Sequence, residues 1–65
     1  MLLVYATAGW RKPAVFRDLA AAQAHVIADM GVTAEENPQW YEHSDRWVVT
    51  FRWRSQQGIL WKVEE

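Results

Sequence analysis

Few side chains in this sequence could do chemistry, and their spacing does not bring them together. Glu35 and Glu36 are adjacent in a predicted loop and cannot face each other across a substrate, as a catalytic pair must. Around His25 and His43, nothing completes the three or four ligands that a metal ion requires. The sequence therefore predicts a protein that is not an enzyme and that has no catalytic residue, no metal ligand and no cofactor.

A cluster of cationic side chains suggests a second kind of chemistry, the binding of anions. Exposed guanidinium groups on a sheet face are one means of binding single-stranded nucleic acid. However, seven Lys and Arg residues face eight Asp and Glu residues, so the chain has no broad basic field. Nucleic-acid binding is therefore the alternative function. The predicted anionic-partner face consists of Arg46, Arg52, Arg54 and Lys62.

Aromatic residues outside the predicted core suggest a third kind of chemistry, protein recognition. Trp10 and Arg11 lie in a predicted turn and belong to no periodic pattern, while Trp40 and Tyr41 stand where the chain re-enters the sheet. Trp, Tyr and Arg are enriched at protein interfaces and at their hot spots. We expect Trp10, Arg11, Trp40 and Tyr41 to form a protein interface with a host protein or with a second copy of the chain.

The elements that position these residues are clearest near the C terminus, where apolar and polar residues alternate as they do in strands. A three-residue loop, Gln56-Gln57-Gly58, pairs Trp53 with Trp61 and gives Gly58 a positive φ in a bulged turn. This hairpin places the odd-numbered side chains under the helix and the arginines on the outer face. The predicted core residues are Trp47, Val49, Phe51, Trp53, Ile59, Trp61 and Val63.

The preceding turn allows two registers. A three-residue loop, His43-Ser44-Asp45, pairs Tyr41 with Trp47 and turns Tyr41 toward the core. A two-residue Ser44-Asp45 turn would turn Trp40 toward the core instead. The three-residue loop is preferred here, but the pattern leaves both open.

One helix is predicted before residue 31, where Gly31 supplies the left-handed residue that ends it. Its start is ambiguous. Pro13 suits a first helical position, whereas Asp18 suits an N-cap that follows an extended Val15-Phe16. We prefer Asp18. The core-facing residues, at steps of three and four, are Leu19, Ala22, Gln23, Val26 and Met30.

These elements make residues 1–65 a single domain of the α+β class. One helix packs on one face of a three- to four-stranded, mainly antiparallel sheet, in the order β-α-β-β-β, with an optional short strand at residues 15–16. Residues 2–7 are apolar at both parities, which suits a strand covered on both sides or covered by a partner. A chain this small without cysteine often associates with itself, so a homodimer is expected.

The location follows from what the sequence lacks. No apolar run approaches the ~20 residues that span a bilayer, and the first apolar stretch has no basic leader of the kind that secretory signals carry. We therefore expect a cytoplasmic protein that does not associate with membranes.

Residues 16–31 (FRDLAAAQAHVIADMG), followed by a hairpin rich in Trp and Arg, resemble short uncharacterised proteins of actinobacteria and their bacteriophages. In those proteins an F-x-[DST]-L-x-x-A run ending in Gly precedes strands of alternating Trp and Arg. The resemblance carries over no catalytic or binding residue. It implies an accessory protein of a phage or mobile element that acts in the host cytoplasm by binding a host factor.

Overall fold

A computed structural model describes residues 3–7 and 14–64 of the chain as one helix and one antiparallel sheet. The sheet has five strands, so the predicted α+β class is confirmed and the predicted count of three to four strands is too low. The extra strand is the optional segment at residues 15–16. The elements are β1 Leu3–Thr7, β2 Val15–Phe16, α1 Leu19–Met30, a 3-10 turn Ala34–Glu36, β3 Gln39–Glu42, β4 Arg46–Thr50 and β5 Gly58–Glu64. The strands lie in the order β2-β1-β5-β4-β3 across the sheet.

The middle of the sheet is formed by the last strand. Strand β5 pairs with β1 on one side, from Leu3–Glu64 to Thr7–Leu60, and with β4 on the other. Two strands therefore lie on each side of β5. Because β1 and β5 are far apart in sequence, the central pairing closes most of the chain into one loop.

The ends of α1 are fixed by local capping chemistry. The Asp18 carboxylate accepts a hydrogen bond from the Ala21 N–H at 3.1 Å, and Gly31 ends the helix with φ 66°. The Gly31 N–H then donates to the Ala28 carbonyl at 3.2 Å. The preferred start at Asp18 and the end at Gly31 are both confirmed. Pro13 lies outside the described residues.

Removing the N-cap gives a first prediction. We expect Asp18→Ala to lower the free energy of unfolding by about 1 kcal/mol, because the Ala21 N–H loses its acceptor. Urea denaturation followed by circular dichroism measures this loss. Asp18→Asn is the matched control and should retain most of the stability, since asparagine caps helices equally well. Equal midpoints for Asp18→Ala and the parent protein would contradict the assignment.

The core lies between α1 and the sheet face beneath it. Ala22 from the helix, Val49 from β4 and Leu60 from β5 are fully buried there. Half-buried aromatic side chains, including Phe16, pack around this centre. The buried cluster consists of Ala22, Val26, Val49, Phe51 and Leu60.

The hairpin between β4 and β5 differs from the predicted one. Trp47 pairs with Leu60 and Val49 with Gly58, and β4 ends at Thr50. The pairing of Trp53 with Trp61 is therefore wrong, and residues 51–57 form a longer connection. The strand ends there because the following segment turns to the 3-10 turn: the Arg52 N–H donates to the Glu36 carbonyl at 2.9 Å.

This shift reverses the predicted orientation of β5. Leu60 rather than Trp61 lies under the helix, because alternate side chains of a strand point to opposite faces. Trp47, Val49 and Phe51 pack in the core as predicted. Trp53 was predicted to be buried, but it lies outside the strand and is 66% exposed. The remaining predicted core residues, which lie on the opposite face of the sheet, are Ile59, Trp61 and Val63.

The preceding hairpin follows the two-residue alternative. Glu42 pairs with Trp47, and the His43 N–H donates to the Arg46 carbonyl at 2.8 Å across a Ser44-Asp45 turn. The preferred three-residue loop is therefore wrong. Trp40, not Tyr41, faces the core.

Candidate functional site

The sheet face opposite α1, which we call the open face, carries no helix among the described residues. Strand pairing and alternation place eleven side chains on it, of which eight are apolar or aromatic and one is charged. The open face consists of Val4, Ala6, Val15, Gln39, Tyr41, Arg46, Val48, Thr50, Ile59, Trp61 and Val63.

This composition is unusual for a sheet face turned toward solvent, which is ordinarily polar. Val15 is 61% exposed, Tyr41 53%, Val63 43% and Trp61 38%. They stand on β2, β3 and β5, and the strands between them carry Val4 and Val48, which are buried at 3% and 8% exposure. Exposed apolar patches of a few hundred Å² mark sites where a protein binds something.

The one charge on the open face is already paired. The Arg46 Nη1 donates to Asp45 Oδ1 at 2.8 Å, and the Arg46 guanidinium lies 5.8 Å from the centroid of the Trp61 ring. Arginine in this position extends the apolar surface with its stem and its flat guanidinium. The open face is therefore close to neutral and suited to burying apolar groups.

The predicted protein interface is divided by the structure. Tyr41 lies on the open face, whereas its neighbour Trp40 is half-buried and packs against the core. Trp10 and Arg11 lie outside the described residues. One of the four predicted interface residues, Tyr41, thus belongs to the surface that the structure presents.

The predicted anionic-partner face is wrong as a single face. Arg46 lies on the open face, but Lys62 lies on the helix side of β5, because the shift in register reversed that strand. The Lys62 ammonium pairs with the Glu42 carboxylate at 2.7 Å and lies 5.8 Å from the Trp47 ring. These two cations therefore point to opposite sides of the sheet.

The other two predicted cations lie in the connection between β4 and β5. Arg52 stacks its guanidinium 5.3 Å from the centroid of the exposed Trp53 ring. Arg54 turns back to the end of the helix, where its Nη1 donates to the Met30 carbonyl at 2.9 Å. Neither of them is part of a strand, so they do not extend a sheet face.

Glu36 is held by Arg54 rather than left free for chemistry. The guanidinium binds both carboxylate oxygens, with Nη2 to Oε2 at 3.1 Å, and Oε2 also accepts from the Thr33 N–H at 3.3 Å. The hydrogen bond from Arg54 lowers the pKa of the Glu36 carboxyl, and partial burial opposes this. The pair joins the 3-10 turn to the β4–β5 connection.

The side chains that could bind a metal ion are dispersed over the described part of the chain. Within residues 3–7 and 14–64, no three His, Asp or Glu side chains are grouped so that they could hold a metal ion. The His25 ring lies against Phe16, with 5.0 Å between the ring centroids. No helix in the described part of the chain is long and apolar enough to span a membrane.

Sequence reasoning missed the open face, although two signals pointed to it. Residues 2–7 are apolar at both parities, and so is the run Ile59-Leu60-Trp61. A strand with both faces apolar needs a cover on each side. In the described part of the chain, α1 covers one of the two faces of the sheet.

Comparison with known proteins adds no assignment. No family model, no curated protein and no solved structure matches this chain. The open face is therefore interpreted from its own residues.

Proposed function

We propose that this chain is a non-enzymatic protein-binding protein and that its partner covers the open face. The observation that supports this proposal is the exposed apolar surface around Trp61, which holds one charged residue that is already paired. Val4 and Val48 on the same face are already buried, so the surface left for a partner is formed by Val15, Tyr41, Trp61 and Val63.

The resemblance to accessory proteins of actinobacteria and their phages extends this proposal to a role. Such a protein acts in the cytoplasm of a host by binding a host factor. This part of the proposal rests on the resemblance of residues 16–31 and on no contact in the structure.

The arrangement of the cations gives the nucleic-acid alternative little support. Each of three cations is paired with a carboxylate: Arg46 with Asp45, Arg54 with Glu36 and Lys62 with Glu42. The three pairs lie on different sides of the fold. Binding to a polyanion would need several unpaired cations on one surface, so we do not propose it as the function.

Site-specific photo-crosslinking tests the proposed function. A benzophenone side chain in place of Tyr41 projects from the open face, and the exposed position tolerates its size. We expect illumination in cells that produce the protein to yield a covalent adduct of discrete mass. The adduct contains whichever protein covers the open face, and mass spectrometry identifies it.

The matched control places the same photo-reactive group at Ala24, an exposed position on the helix. This position should give no discrete adduct, because it lies away from the open face. The absence of an adduct at position 41, or equal adducts at both positions, would overturn the proposed function.

A further inference from the structure

We propose that Arg52 and Trp53 form a second contact point, which binds a carboxylate that stands beside an apolar side chain on a partner protein. The pair lies in the β4–β5 connection and not on the open face, so this inference goes beyond the proposed function and does not depend on it. It is supported by the exposure of Trp53, by the fixed backbone on both sides of it and by the unpaired charge of Arg52.

Trp53 is the most exposed large apolar side chain in the described part of the chain, at 66%. Single exposed apolar side chains are common on protein surfaces and do not by themselves mark a site. Phe51, two positions earlier, is buried and packs in the core, so the connection buries one aromatic ring and turns the other outward. Folding therefore leaves most of the Trp53 ring available for contact with another molecule.

The backbone is held on both sides of Trp53. On one side the Arg52 N–H donates to the Glu36 carbonyl at 2.9 Å. On the other side the Arg54 guanidinium binds the Glu36 carboxylate and donates to the Met30 carbonyl at 2.9 Å. These contacts fix where the connection presents Trp53. An aromatic side chain presented by a fixed backbone loses less conformational freedom on binding than one in a mobile loop.

Arg52 supplies a charge beside this ring, since its guanidinium lies 5.3 Å from the centroid of Trp53. Within residues 3–7 and 14–64, no carboxylate pairs with Arg52, whereas Arg46, Arg54 and Lys62 each have one. A guanidinium in contact with a ring still has donors in its plane that can bind both oxygens of a carboxylate. The pair therefore offers an apolar ring and a hydrogen-bonding cation side by side.

The number of cations favours a protein over a nucleic acid as the partner. Ser55, Gln56 and Gln57, which complete the connection, are uncharged, and Arg54 is neutralised by Glu36. One unpaired cation matches a single carboxylate, whereas a polyanion is bound by several unpaired cations on one surface. Trp and Arg are also enriched among the residues that dominate the binding energy of protein interfaces. We therefore assign the contact to an Asp or Glu that neighbours an apolar residue.

NMR titration with two short peptides tests this contact. The probes are N-acetyl-Asp-Phe amide and its neutral analogue, N-acetyl-Asn-Phe amide. Each of the five Trp residues gives one indole N–H signal, and the signal of Trp53 is identified by its loss in Trp53→Phe. At low ionic strength the Asp peptide should shift the Trp53 signal to saturation with a millimolar dissociation constant, since one ring and one ion pair make a weak contact. The Asn peptide should bind about two- to fivefold more weakly, which is the range of one exposed ion pair.

Arg52→Gln should bind the two peptides equally, because it removes the cation and keeps the backbone N–H that anchors the connection. Arg46→Gln is the matched control. Arg46 also lies against a Trp ring, 5.8 Å from the centroid of Trp61, but it is paired with Asp45. This variant should discriminate between the peptides as the parent does. Circular dichroism establishes that both variants are folded.

Equal affinity of the parent for the two peptides, or no shift of the Trp53 signal by either, would overturn the contact. Discrimination that survives Arg52→Gln would overturn it as well. Thymidine monophosphate is the third probe, and tighter binding of this nucleotide than of the Asp peptide would assign the pair to nucleotides and refute a protein partner. None of these outcomes changes the crosslink expected from position 41, so failure here is distinct from failure of the proposed function.

Discussion

Replacing Gly58 with alanine is expected to lower the free energy of unfolding by about 1–3 kcal/mol, and replacing it with valine by more. A β-carbon at this position would lie 2.5 Å from the Val49 Cγ1. It would also lie 3.1 Å from both the Met30 Sδ and the Val26 Cγ1. A domain of 65 residues has about 3–10 kcal/mol of stability, so the loss is a large share of the total.

The reason for glycine here is space and not backbone conformation. Gly58 begins β5 opposite the fully buried Val49, and Met30 and Val26 of the helix lie against its other side. The positive φ that the sequence predicts at Gly58 in a bulged turn is wrong. Among the described glycines, positive φ belongs to Gly31.

A double-mutant cycle distinguishes the lack of space from a general intolerance of substitution. Val49→Ala is destabilising alone, but it removes the Cγ1 that the new β-carbon meets. Urea denaturation should therefore show that Val49→Ala and Gly58→Ala together cost less than the sum of their separate effects.

Gly31→Ala is the matched control for this cycle. An added β-carbon at Gly31 meets no atom within 4 Å, so its cost of about 1 kcal/mol comes from the left-handed backbone. The loss of stability caused by Val49→Ala should add in full to the loss caused by Gly31→Ala. The close contact would be refuted if the losses of stability from Gly58→Ala and Val49→Ala were strictly additive. It would also be refuted if the Gly58→Ala variant were as stable as the parent.

The helix was predictable from the sequence because its determinants are local. The Asp18 carboxylate binds an N–H three residues away, and the Gly31 N–H binds a carbonyl three residues back. Both contacts are set by residue type and short spacing. The optional strand at residues 15–16 forms differently, by pairing with β1 at Tyr5–Phe16 and Ala6–Val15.

The β4–β5 register was not predictable in this way. The apolar-polar alternation continues through Trp53, although the strand ends at Thr50. What ends it is long-range: Arg54 binds Glu36 and the Met30 carbonyl, which lie 18 and 24 residues away in sequence. Alternation specifies which residues share a face of a strand, but not where the strand stops pairing.

The open face was missed for a related reason. Leu60 and its neighbours Ile59 and Trp61 are all apolar, so either parity of β5 could supply the core. The sequence assigned Trp61 to the helix side, and the structure assigns Leu60. A strand that is apolar on both faces predicts two covered faces, and this holds for Ile59, Leu60 and Trp61 as it does for residues 2–7.

Replacing Glu36 with glutamine is expected to lower the melting temperature by several degrees at pH 7, because Arg54 loses the carboxylate that it binds through two donors. The effect should depend on pH. Arg54 lowers the pKa of the Glu36 carboxyl in the folded protein below its ordinary value. The folded state therefore binds a proton at this site less readily than the unfolded chain does.

The sign of the pH dependence follows from this difference. Above the ordinary glutamate pKa of about 4.3 the carboxylate is charged in both states, and its stabilising contribution is complete. As the pH falls through the lowered pKa of the folded state, the carboxyl becomes protonated and the contribution is lost. The difference in stability between the parent protein and Glu36→Gln should therefore be largest near neutrality and shrink below about pH 4.

Thermal denaturation of both proteins between pH 7 and pH 3 measures this convergence. The difference in melting temperature between the two proteins cancels the contributions of the other carboxyl groups, because those groups are the same in both. Glu35→Gln is the matched control, since Glu35 is exposed and adjacent in sequence; it should stay close to the parent at every pH. If the gap between the parent and Glu36→Gln is instead constant across this range, the charge of Glu36 does not hold the β4–β5 connection to the 3-10 turn. In that case the hydrogen-bond geometry, which glutamine partly retains, would be what ends β4 at Thr50.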